Sequence, residues 1–212
     1  MRDAGVLVMA KAPRAGFTKT RLCPPCTPDQ AADIASAALR DTLVAAQSCR
    51  GRKVTLALDG EPGAWVPPGV RVVPQRGATF NERLANAWAW LPDGGVQIGM
   101  DTPQVSAGLL ECAIAAVTRH GAALGPATDG GWWLIGLERP DPSVFDLVPM
   151  STPETYAQQL ARMHRIGLRP QILPVLTDID TWAAALEVAS GIPRSRTASV
   201  VANVASSLET AS

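Results

Sequence analysis

Seven short apolar runs, separated by turn-rich connections or by stretches with helical spacing, constrain this chain more than any other feature. Residues 5–10 (GVLVMA), 53–58, 70–73, 96–100, 122–124, 132–137 and 171–175 read as strands. Strands alternating with helices predict an α/β domain with a largely parallel central sheet, because parallel neighbours need long crossovers and helices supply them.

The helix starts are marked by capping chemistry. Thr27-Pro28-Asp29-Gln30 offers an N-cap, a proline at the first helical position and a capping-box Gln, opening an Ala-rich helix to about residue 47. Leu84, Ala87 and Trp88 share helical spacing within 80–90, and Ser106 is placed to cap a helix running to about 119. Ser151 and Glu154 stand at capping-box spacing ahead of a helix that ends near Gly167. Asp178-Ile179-Asp180-Thr181 leads into a last helix from about 182, with Asp180 a candidate N-cap as well as a candidate ligand. Beyond Gly191 the composition turns to Ser, Thr, Ala and Arg. We therefore expect one domain over 1–190 and a loosely packed tail over 191–212, in which 200–208 is able to dock as a short helix.

Composition removes several function classes. The 19 Lys plus Arg balance 19 Asp plus Glu, so no global field draws in nucleic acid or anionic lipid, and any basic function must be local. No run approaches the ~18 apolar residues of a membrane helix, and the first strand is too short and wrongly flanked for a secretion signal. The expectation is a cytoplasmic monomer or homodimer whose partners are small molecules rather than membranes or nucleic acids. Cys23-Pro-Pro-Cys26 has redox spacing, but neither a second such pair nor a nearby histidine accompanies it, and it reads as an incidental loop pair. His120 and His164 fall at helix ends without a nucleophile beside them, so no catalytic histidine is assigned.

In open α/β sheets ligands bind at the carboxyl ends of strands. Here the first strand leads to Lys11, Arg14, Gly16, Lys19 and Arg21, the third to Gln75-Arg76-Gly77, and the fourth to Asp101. The turn after 122–124 carries Asp129-Gly130-Gly131, and the last strand leads to Asp178 and Asp180. Cations from one strand end and carboxylates from two others are the parts of a Mg²⁺–polyphosphate site: Lys and Arg neutralise phosphate oxygens, Gly16 lets backbone N–H groups approach, and carboxylates hold the metal. Neither the GxxxxGK[ST] nor the GxGxxG spacing is present, so the phosphate cradle is of another kind. Asp129 also has the composition of a plain turn, and of Trp132 and Trp133, on opposite faces of one strand, one is expected in the core and the other beside a pocket.

In order along the chain, MAKAPRAGFTKTRL, GMDTP, GPATDGGWWLIGL, STPET and DIDT resemble the DUF2064 family of small bacterial proteins, relatives of the MobA-like nucleotidyltransferases, over roughly residues 5–185. The resemblance implies a three-layer Rossmann-like GT-A-type fold. It implies nucleotide phosphates held by Arg14, Lys19 and Arg21 with Lys11 nearer the strand, Gln75 and Gly77 by the nucleobase, Asp101 as principal metal ligand and Asp180 as the second. Lys19, Arg14 and Asp101 would carry catalysis. Asp129, Gly130, Gly131, Trp132, Ser151 and Thr152 would face the acceptor, and Mg²⁺, with Mn²⁺ as the alternative, would be the cofactor. Three positions depart from the family pattern: Ala15 replaces a proline, Trp132-Trp133 a tyrosine pair, and Met150 a tryptophan.

Characterised members of the wider group include enzymes that couple a guanosine nucleotide to a phosphorylated small acid, whereas DUF2064 members are commonly labelled glycosyltransferases. Four cations suit a triphosphate, and Asp101-Thr-Pro lacks the DxD of many metal-dependent glycosyltransferases. The preferred expectation is therefore Mg²⁺-dependent nucleotidyl transfer from a nucleoside triphosphate to a small anionic, phosphorylated acceptor, with pyrophosphate released and Asp129 or Glu154 available as a base. Glycosyl transfer from a nucleotide sugar is the alternative, and a noncatalytic nucleotide sensor is the third.

Overall fold

The computed structural model describes residues 4–210. Seven strands form one sheet: β1 (Gly5–Lys11), β2 (Val54–Asp59), β3 (Arg71–Pro74), β4 (Gly95–Ile98), β5 (Ala122–Pro126), β6 (Trp132–Leu137) and β7 (Gln171–Ile172), in spatial order 3-2-1-4-6-5-7. All pairs are parallel except those of β6, which runs antiparallel to both β4 and β5 because a short turn reverses the chain after β5. Since β4 and β5 run the same way, the carboxyl ends of β1, β4 and β5 and the start of β6 meet at one edge. That edge carries the site.

Strand alternation sends side chains into two cores. Val6, Val8 and Ala10 of β1 face α1 (Pro28–Gln47) and α3 (Ala107–His120), while Leu7 and Met9 face α2 (Phe80–Ala87) and α4 (Thr155–Arg165). The result is the expected α/β arrangement of three layers. α1 is buried on both sides, since its other face packs on α5 (Trp182–Gly191) and α6 (Arg196–Thr210) through Ile34, Ala38, Val188, Val201 and Val204. The stretch read as a loosely packed tail thus holds a docked helix, longer than the expected 200–208, because its apolar residues match an uncovered stripe on α1.

The Thr27–Gln30 capping box forms, with Thr27 accepting from Gln30 N and Gln30 accepting from Thr27 N. Three local expectations are corrected. Ser151 and Glu154 make no capping box: Ser151 has a positive φ of 61°, the helix begins at Thr155, and Thr155 Oγ1 instead ties Pro149 O to Thr152 N. The strand expected at 171–175 shortens to two residues, since Pro174 has no N–H to continue the ladder; pairing resumes only as a single bridge between Ala127 and Leu176. The helix expected over 80–90 gives way after Ala87 to a 3-10 turn at Trp88–Trp90.

No helix among the described residues is long and apolar enough to cross a membrane.

Candidate active site

A cleft of about 670 Å³ opens at the strand edge described above. One wall comes from the end of β1 and the following loop, with Lys11, Phe17, Lys19 and Arg21; its floor is Gln97 to Thr102 at the end of β4. Asp178 and Asp180 enter ahead of α5, and the far wall is Asp129, Gly131, Trp132 and the loop from Met150 to Thr155.

Lys19 is the centre of the polar cluster. Its side chain is 8% exposed, and its Nζ lies 2.6 Å from Asp101 Oδ1 and 2.6 Å from Asp180 Oδ1. The contact to Asp180 is a hydrogen bond, and the ammonium meets the buried Asp101 Oδ1 as an ion pair. Burial alone would lower the Lys19 pKa, but the two carboxylates outweigh it and hold the ammonium above its ordinary value. The loop is set by Thr18, whose hydroxyl donates to Ala12 O and accepts from Arg14 N. Lys19 itself adopts a positive φ of 56°.

Arg21, largely exposed, reaches Asp180 Oδ2 at 3.6 Å. Asp180 is therefore engaged by two cations, and it does not cap α5: Thr181 does, accepting from Ala184 N. Asp178, to which the sequence gives only a place after the last strand, lines the same cleft. Burial pushes its carboxyl up to about 7, with Asp101 and Asp129 adding to the push, Lys19 opposing it and Asp180 adding less. What marks Asp178 is proximity to three other carboxylates, and no spacing rule reveals that.

Of the other expected residues, Lys11, Arg21, Gln75, Asp101, Asp129, Gly131, Trp132, Ser151, Thr152 and Asp180 line the cleft. Arg14, Gly16, Gly77 and Gly130 do not. Arg14 turns outward and lies over the Phe17 ring at 4.1 Å. Gly16 is exposed in the same loop, and Gly77 packs against Glu82 and Arg83 at the start of α2. Gly130 supports the far wall from behind: its carbonyl accepts from Tyr156 N, and a Cβ built on it would stand 2.1 Å from Pro153 O.

Gln75 donates both amide hydrogens to the carbonyls of Ala10 and Ala57, at 2.9 and 3.0 Å, which leaves Oε1 as its binding atom. Asp129 makes the turn read from its composition, accepting from Gly131 N at 2.7 Å. Trp133 is the core tryptophan, donating to Pro174 O, and Trp132 lines the cleft and stacks on Phe145. Among the described residues the wall from Asp129 through Trp132 and from Met150 to Thr155 carries no Lys or Arg. Arg83, not anticipated, adds a cation on the α2 side, bound to Asp59 at 3.0 Å.

A groove of similar size between α1 and α6, lined by Arg40, Trp65 and Arg196, gathers none of the strand-end residues.

A family model described as "Uncharacterized protein conserved in bacteria (DUF2064)" matches residues 30–152, more than half of the chain. The chain belongs to the DUF2064 family. The matched segment of this DUF2064 protein holds Asp101, Asp129 and Trp132; the basic loop and Asp180 lie outside it. A structure from Desulfovibrio desulfuricans G20, provisionally assigned as a nucleotide-diphospho-sugar transferase, is similar over the whole length: 25% identity, TM-score 0.87, covering 99% of this chain and 98% of that one.

Two more distant structures share the fold. CMP:2-keto-3-deoxy-manno-octonic acid synthetase complexed with CTP is 14% identical, with TM-score 0.55 over 91% of this chain and 99% of that one. Rv0371c from Mycobacterium tuberculosis H37Rv, in complex with manganese, is 21% identical, with TM-score 0.51 over 88% and 98%. No curated protein matches the sequence.

Proposed function

We propose that this DUF2064 chain is a divalent-metal-dependent transferase acting on an activated nucleotide, and that its reaction is nucleotidyl transfer from a nucleoside triphosphate to a small acceptor with release of pyrophosphate. The observation that carries this reading is the meeting of Asp101, Asp180 and Lys19 at one point of a cleft that Lys11 and Arg21 also line.

Among the described residues no three His, Cys, Asp or Glu side chains form a ready-made metal cage. The donor set nevertheless fits Mg²⁺ or Mn²⁺, because such ions are held by one or two carboxylates plus substrate phosphates, and Asp101 and Asp180 each turn one oxygen to the same point of the cleft, where Lys19 Nζ meets both at 2.6 Å. Asp101 and Asp180 would hold the ion, which would neutralise charge developing on the phosphates. Lys11 and Arg21 bind the phosphate oxygens from the loop side, and Gln75 Oε1 accepts from the nucleobase. Asp129 and Gly131 shape the acceptor wall with Trp132, Ser151 and Thr152. An acceptor that is already a phosphate anion needs no base; for one attacking through a hydroxyl, Asp129 rather than Glu154 would serve, since Asp129 lines the cleft and Glu154 does not.

Glycosyl transfer from a nucleotide sugar is the second reading, favoured by the cation-free wall around Trp132, which suits a hydroxyl acceptor better than a phosphorylated one. Incubation with Mg²⁺ or Mn²⁺, each of the four triphosphates and a panel of phosphorylated acids and sugars is expected to release pyrophosphate. Diphosphate release from a nucleotide sugar, with no pyrophosphate from any triphosphate, refutes nucleotidyl transfer.

A further inference from the structure

Two cations cannot share the oxygens that Lys19 now holds. We propose that Lys19 is a resident counter-ion of the metal seat: its ammonium occupies the position between Asp101 and Asp180 until nucleotide phosphates draw it away, so that metal entry and Lys19 departure are one exchange. The inference rests on the reading of Asp101 and Asp180 as metal ligands.

The ammonium touches one oxygen of each carboxylate at 2.6 Å. Ions of the Mg²⁺ class bind carboxylate oxygens at about 2.0–2.1 Å, so an ion bridging the same two oxygens would stand in contact with Nζ. Contact between a divalent ion and an ammonium in a partly dehydrated site is repulsive by many times the thermal energy. Free metal must therefore compete with Lys19 for these two oxygens, and it binds weakly while the ammonium stays.

The same ammonium serves two carboxylates: Asp101 and Asp180 share the buried Lys19, with Arg21 touching only the outer oxygen of Asp180. Without Lys19, the half-buried Asp101 and Asp180 would face each other with no cation between them.

Lys19 also has somewhere to go. Its flexible four-carbon stem lies in the same cleft wall as Lys11 and Arg21, where phosphate oxygens are expected. When phosphates arrive with a divalent ion, the ammonium exchanges carboxylate oxygens for phosphate oxygens, and the ion takes the vacated oxygens. Every charge keeps a partner through the exchange, and metal without nucleotide binds weakly.

The test is Mn²⁺ binding without nucleotide, read from loss of the free-ion paramagnetic resonance signal. Lys19→Met keeps the stem and removes the charge; it is expected to bind Mn²⁺ at least tenfold more tightly than the wild type. Asp101→Asn added to Lys19→Met is expected to abolish that gain. If circular dichroism shows that Lys19→Met does not fold, Lys19→Gln takes its place. Equal Mn²⁺ affinity in wild type and variant overturns the counter-ion role while leaving Asp101 and Asp180 as ligands. No Mn²⁺ binding by either protein, with or without a triphosphate, removes the metal reading and the inference with it.

Discussion

Replacing Gly130 with alanine should damage the wall proposed to face the acceptor while sparing the proposed metal seat. Gly130 has φ +88°, and the added Cβ would meet three backbone atoms of Pro153, its O at 2.1 Å and its C and Cα at 2.7 Å. None of these is the end of a flexible side chain, so relief requires about 1 Å of separation between the 129–131 turn and the 151–155 loop. The left-handed backbone costs an alanine about 1 kcal/mol, and overpacking adds about 1–3 kcal/mol, for a total of about 2–4 kcal/mol.

Gly167→Ala isolates the first contribution, since Gly167 has φ +85° with open space around its Cβ position. Urea denaturation of the two variants should separate them by about 1–3 kcal/mol. In turnover assays Gly130→Ala should raise KM for the acceptor and leave Mn²⁺ affinity in the presence of triphosphate unchanged, because Asp101 and Asp180 stand on other segments. If the two glycine variants are equally stable and the acceptor KM does not move, the turn and the loop do not form one wall.

Two further outcomes test the core and the thiols. Gln97→Leu removes the buried acceptor of Trp88 Nε1–H, which Gln97 Oε1 meets at 3.0 Å, and should cost about 2–3 kcal/mol in urea melts; adding Trp88→Phe should recover part of that loss, and strict additivity of the two changes would refute the pairing. Burial pushes the Cys49 thiol up to about 11, with Glu111 adding and Arg52 opposing. As the acid form is favoured in the fold, only about one thiol in a thousand is ionised at pH 8, and the thiolate fraction grows roughly tenfold per pH unit until about 11. Exposed Cys112 should therefore react with a disulfide reagent at pH 8 while Cys49 stays protected, and equal labelling rates would contradict this environment.

Local signals were legible in the sequence wherever the chemistry closes within a few residues. Thr27 and Gln30 satisfy each other across one helical turn, and Ser106 caps α3 as its spacing implied. Ser151 and Glu154 have the same spacing and fail. Pro153 is drawn against Gly130 from another segment, and the helix entry is rebuilt around Thr155. Asp180 looked equally suited to capping and to binding; it was Lys19, far away in sequence, that took its carboxylate, and the neighbouring Thr181 took the cap. Arg14 and Gly16 sit in the loop after β1, but Arg14 finds the Phe17 ring and both stay outside the cleft wall.

By itself the sequence determined the α/β class, most element boundaries, the docking potential of the apolar residues in 200–208, and the gathering of cations and carboxylates at one edge of the sheet. These follow from periodicity and from strand direction, which short stretches of chain encode. Tertiary structure alone decided which charges meet. The reversal of β6, the close approach of Gly130 to Pro153 and the burial of Lys19 between Asp101 and Asp180 join segments up to 161 residues apart. At such separations a side chain's partner is set by packing, and its charge takes its chemical meaning from that partner.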